Sequence, residues 1–113
     1  METTALLLTA ALFGGTGHSL VVPVEYADAR GATDWNAATR TAFLEDPDNR
    51  IVLSDADVRA RAGRGPLQWL PSTAQCRYIS YFVAVSERYA LKVELEERQA
   101  LRHQRQRCYT QFQ

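Results

Sequence analysis

Chemistry near neutral pH needs side chains that titrate, react or fix a charge in place, and this chain offers few of them. His18 and His103 are its only histidines, Cys76 and Cys108 its only cysteines. No Cys-x-x-Cys pair occurs, so a structural zinc site is not expected. The two cysteines allow one disulfide, closing a loop of about 30 residues worth roughly 3–4 kcal/mol in the chain-entropy model. Lys92 is the one lysine among 13 basic residues. The planar arginine fork suits carboxylate or phosphate recognition, although a coding bias produces the same usage. Arg59, Arg61 and Arg64 form a local basic cluster, with Arg50 as a candidate neighbour, able to hold phosphates or a partner's carboxylates. The plainer reading of that cluster is a solvated helix face. Arg98, Arg102 and Arg105 stand close to Glu94, Glu96 and Glu97 and read as solvated. There is no Ser-His-Asp set, no phosphate-cradling glycine loop and no nucleotide motif.

The elements that position these residues follow from composition and spacing. A chain of 113 residues, 46% apolar and 23% charged, is one globular domain with a real core. Thirteen basic residues balance thirteen acidic ones, which excludes whole-molecule attraction to nucleic acid or anionic lipid as a main driver. Ala5–Phe13 resembles the apolar core of an export signal, but Glu2 is the only charge near it and no basic residue precedes it. The run is short of the roughly 20 residues of a membrane span. It is read as a packed strand or helix, with a degenerate export signal or a membrane or partner contact as the alternative.

Gly14–Ser19 reads as a turn, Leu20–Val24 as a buried strand, and Glu25–Arg30 as a short helix closed by Gly31. Asp34 is the expected cap of a helix over Trp35–Leu44, followed by a turn at Asp46–Asn49 and a strand at Ile51–Leu53. Ser54 or Asp55 caps a polar helix to about Ala62. Pro66 opens a turn, and Ser72 or Thr73 opens the longest helix, to about Tyr89, with Ile79, Phe82, Val83 and Val85 at helical spacing. A last helix covers Glu94–Arg107, with Glu94 and Arg98 placed to pair. The expected class is α+β, mostly helical, with a C-terminal helical hairpin.

Four segments carry a resemblance: Val21–Trp35 (VVPVEYADARGATDW), Phe43–Ser54 (FLEDPDNRIVLS), Gly65–Pro71 (GPLQWLP) and Cys76–Val93 (CRYISYFVAVSERYALKV). Together with Cys108 they resemble the HNH endonuclease family, of the small secreted bacterial nuclease and GmrSD C-terminal type, over residues 20–108. Residues 1–19 form a divergent apolar N-terminal segment outside it. The resemblance implies a strand-strand-helix unit gripping one divalent metal, with a histidine as general base against a DNA phosphodiester and a turn asparagine orienting it. It also implies an extracytoplasmic setting, in keeping with the cysteine pair.

The family's chemical positions are changed here. Its Asp-His pair falls on Ser19 and Leu20, its helix asparagine on Val58, and its Ser-Lys-Gly-Asp on Ala60, Arg61, Ala62 and Gly63. Asn49 and Arg59 keep the family's residue type. Leucine cannot take a proton, and valine is no ligand for magnesium, which wants oxygen. A rebuilt site from His18, Asp55 and Asp57 is the alternative, since His18 lies two residues before Leu20 and shares its side of a strand. The plain reading is a loop histidine and two acids placed for the helix dipole.

The resemblance, with these changes, implies a degenerate HNH-like domain acting as a binding or inhibitory/accessory module rather than cutting, with no cofactor expected. A protein partner is favoured by the zero net charge, with nucleic acid held through the arginine cluster as the other possibility. The alternatives are an active endonuclease using magnesium or another divalent metal at the displaced site, and a structural subunit of a larger assembly.

Overall fold

The computed structural model describes residues 15–111. The apolar run Ala5–Phe13 lies outside them. Strand β1 (Thr16–Leu20) and strand β2 (Arg50–Ser54) pair antiparallel, Leu20 opposite Arg50 and Thr16 opposite Ser54. Between them run helix α1 (Val24–Asp28), a 3-10 turn at Ala32–Asp34, helix α2 (Ala37–Glu45) and a second 3-10 turn at Pro47–Asn49. Helix α3 (Asp55–Arg61) leaves β2 directly, and α4 (Gln75–Arg88) and α5 (Leu95–Gln111) form a C-terminal hairpin. The fold is therefore α+β and mostly helical, with a small antiparallel sheet. Among the described residues no helix is long and apolar enough to cross a membrane.

Local chemistry explains the boundaries. Asn36, not Asp34, caps α2, its side chain accepting from the Thr39 amide at 2.8 Å, so the helix starts two residues later than expected. Ser54 caps α3 by accepting from the Asp57 amide. Gly31 takes φ 99° after α1, a left-handed geometry that favours glycine. Helix α4 begins at Gln75, and neither Ser72 nor Thr73 caps it: the capping residue is Ala74 at φ 53°, without a side-chain bond. The expected turn at Gly14–Ser19 is corrected, because Thr16–Ser19 belong to β1. The expected strand at Leu20–Val24 is the end of β1 and an extended passage into α1. Pairing with β2 decides this, and it spans more than 30 residues of chain, beyond any local pattern.

One face of α4 forms the core. Tyr78, Phe82 and Val85 are buried there against Val21, Val22, Tyr26 and Phe43. Two aromatic groups complete it: Trp35 with Phe43 and Tyr89, and Tyr78 with Trp69 and Phe82. The Tyr78 hydroxyl donates to the Val21 carbonyl at 3.0 Å, tying α4 to the exit of β1. Cys76 and Cys108 form a disulfide joining the start of α4 to the end of α5. The expected Glu94–Arg98 pairing gives way to longer-range ones. Glu97 receives both Arg30 and the Tyr26 hydroxyl, Arg98 donates to the Val93 carbonyl, and Arg102 meets Glu87.

Candidate functional site

β1, β2 and α3 form a strand-strand-helix unit, and its register sorts the candidate residues by face. Side chains opposite one another in an antiparallel pair share a face. His18 stands opposite Val52, and Ser19 opposite Ile51. Arg61, at the end of α3, donates to the Ser19 hydroxyl at 3.0 Å, so Ser19 and Ile51 face the helix. His18 and Val52 therefore occupy the other face, where His18 is exposed and Val52 is 58% exposed.

Arg61 is the unexpected residue. The sequence places it in an exposed basic cluster, but it is only 4% exposed. Its guanidinium donates to the Leu20 carbonyl at 2.5 Å and lies 5.9 Å from the Trp69 ring centre. It thus occupies the interior of the strand-strand-helix unit, behind the position where the family resemblance puts the base. Its Nε has no hydrogen-bond partner among the described residues. Arg59 and Arg64 remain exposed, and Arg64 folds back to donate to the Ala60 and Arg61 carbonyls. The three arginines therefore do not form one surface.

The other candidates have local partners. Asn49 is fully buried. Its Oδ1 accepts from the Val22 amide at 2.8 Å and its Nδ2 donates to the Phe43 carbonyl at 3.2 Å. It clamps the second 3-10 turn to the exit of β1. Asp55 accepts from the Gly15 amide at 2.9 Å, and Asp57 faces the Ser72 hydroxyl at 3.4 Å. Val58, on the ligand position that the resemblance implies, is 38% exposed. Burial raises the Tyr78 hydroxyl above its ordinary pKa, against the opposing pull of Arg61.

The divalent metal implied by the resemblance does not fit these residues. Among the described residues no three His, Cys, Asp or Glu side chains converge. Leu20 and Val58 stand at the base and ligand positions that the resemblance implies, and neither side chain can bind a metal; a buried guanidinium is also a fixed positive charge that repels a cation in a low-dielectric interior. Asp55 and Asp57 are on the first turn of α3, where carboxylates complement the helix dipole.

A cleft of about 470 Å³ runs along β2, walled on the far side by Pro71–Ala74 and by Arg77, Tyr78 and Tyr81 of α4. Sequence reasoning missed this cleft. Its one local signal is that Arg77 and Tyr81 stand four apart on α4 outside the apolar stripe, with the Arg77 guanidinium 5.8 Å from the Tyr81 ring centre.

No family model matches the chain. No solved structure matches it. It is 32% identical over 85 residues to a protein of Arthroderma benhamiae described as an uncharacterized secreted protein. The match takes in 72% of this chain and spans 42% of the relative's length.

Proposed function

We propose that this chain is a catalytically degenerate HNH-type domain that acts as a binding or inhibitory module toward a protein partner. The observation that carries this reading is Arg61, a buried cation bonded to the Leu20 carbonyl at the centre of the strand-strand-helix unit. A divalent-metal hydrolase needs oxygen and nitrogen ligands there, and a base that can take a proton. Here Leu20 stands at the base position the resemblance implies, and the buried group bonded to its backbone carbonyl is Arg61, a donor with no proton-accepting capacity. The zero net charge favours protein over nucleic acid as partner. The disulfide and the secreted relative support an extracytoplasmic location.

Calorimetric titration of the full chain with manganese tests the metal part of this reading. The expected result is no stoichiometric heat. Saturable one-to-one binding that is lost in an Asp57→Ala or His18→Ala variant contradicts it.

A further inference from the structure

The hydrogen-bond phase of the sheet shows what the cleft beside β2 can hold. The Val21 amide donates to the Asn49 carbonyl at 3.0 Å, and the Asp55 amide to the Gly15 carbonyl at 2.8 Å. Bonded and non-bonded pairs alternate along an antiparallel ladder. With the observed register, Ile51 and Leu53 point their amides and carbonyls at β1, and Arg50, Val52 and Ser54 point theirs away from it. All five consecutive residues of β2 line the cleft, as an open backbone edge does. Because β2 has β1 on one side only and no second strand on the other, this phase leaves the Val52 amide and carbonyl and the Ser54 amide without a ladder partner among the described residues.

We infer that this edge is a docking site for an extended acidic segment of a partner protein, which adds to the sheet as a third strand in the cleft between β2 and α4. This rests on the reading of the chain as a protein-binding module and names its partner's chemistry. Strand addition satisfies backbone groups that otherwise lie open. Charge selects the sign of the added strand. Arg50 and Arg77 stand on the two walls of the cleft, both exposed, and neither meets a carboxylate among the described residues. The acids lining the cleft are engaged: Asp48 with Arg88 at 3.0 Å, and Asp57 with Ser72. Exposed Val52 and Tyr81 supply apolar contact.

The test uses the full oxidised chain, isotope-labelled, and a capped peptide of about seven residues built from threonine, valine and glutamate, long enough to cover the strand. The expected result is saturable binding, with shifts largest at the Val52 and Ser54 amides. A peptide with lysine in place of glutamate should bind about ten-fold more weakly. A version N-methylated at alternate amides should not bind. Val52→Pro, which removes an outward amide without touching a β1–β2 bond, should abolish binding. Arg50→Glu with Arg77→Glu should weaken it about ten-fold at unchanged melting temperature. If Val52→Pro unfolds the chain, the charge-reversal pair decides alone. Equal binding of both peptides, no binding at all, shifts centred on Arg59 and Arg64, or occupation of the edge by residues 1–14 or a second copy overturns the edge assignment. Displacement of the peptide by a DNA duplex with steep salt dependence also overturns it. None of these results restores catalysis, so the edge can fail while the binding-module reading stands. That reading fails separately, on metal binding or DNA cleavage.

Discussion

Arg61 and Asn49 show how a residue's neighbours decide its role. Each is a polar group taken out of water, and each has partners that compensate for the lost hydration. Asn49 satisfies the Val22 amide and the Phe43 carbonyl together. Asn49→Ala should therefore cost about 2–3 kcal/mol, since it strands a buried amide as well as losing a bond. Urea midpoints measure this directly. Arg61→Ala should cost about 2–4 kcal/mol, because the Leu20 carbonyl loses its donor and a void opens beneath Trp69. Arg59→Ala and Arg64→Ala should stay within about 0.5 kcal/mol of the parent. Three equal, small effects would mean that Arg61 is a surface residue in solution. Replacing all three arginines together is thus a poor probe of binding, since one of them holds the fold.

The split among these arginines was legible in principle. On a helix, residues two apart point about 200° away from each other, so Arg59 and Arg61 cannot share a face. Counting basic residues in the segment hides that geometry. Asn49 is a different case: its place in the turn is readable, but its two bonds join segments that only the folded chain brings together.

Helix ends carry the energetic detail at the next scale. At the end of α4, the Leu91 amide donates to the Ser86 carbonyl at 3.0 Å and the Ala90 amide to the Glu87 carbonyl at 3.1 Å. This is the Schellman pattern, and its left-handed position is held by Ala90 at φ 50°. A side chain there costs about 1 kcal/mol relative to glycine, so Ala90→Gly should raise the stability by about that amount. A lower melting temperature for the variant would contradict the assignment. Asp46 joins α2 to α4 by accepting from Arg88 at 2.8 Å and from the Tyr89 hydroxyl at 2.8 Å. Desolvation acts to raise its pKa, but the bonds from Arg88, Tyr89 and the Asp48 amide outweigh this and hold it below its ordinary 3.8. A carboxyl with a lowered folded-state pKa stabilises the fold above its unfolded value, and that stability is lost as pH falls through the lowered one. The stability gap between the parent and Asp46→Asn should therefore be full near neutrality and close below pH 3.8. A gap independent of pH would contradict the coupling.

The helices were the legible elements, because capping residues, breakers and the apolar stripe of α4 act locally. Ser54 before α3 and Gly31 after α1 follow those rules. β1 was obscured by its own glycine, and its partner lies across two helices. The cleft along β2 is further from local pattern still, since it exists only where strand register and the position of α4 coincide.

For the whole molecule, the Cys76–Cys108 bond closes the helical hairpin, with 32 residues of sequence separation. Replacing both cysteines by alanine should lower stability by roughly 3–4 kcal/mol. Intact mass with and without reductant verifies the bond itself, and two free thiols in folded, air-oxidised protein would contradict it. The balanced charge gives the molecule no long-range pull on DNA, leaving recognition to local surfaces. The proposed function reads this molecule as a binding module whose strand-strand-helix unit carries a buried guanidinium and no base. The most direct test of that account is incubation of supercoiled plasmid with the full oxidised chain in magnesium or manganese. Plasmid is expected to stay supercoiled at every metal concentration. Metal-dependent nicking that disappears in His18→Ala would contradict it and assign the chemistry to the displaced site.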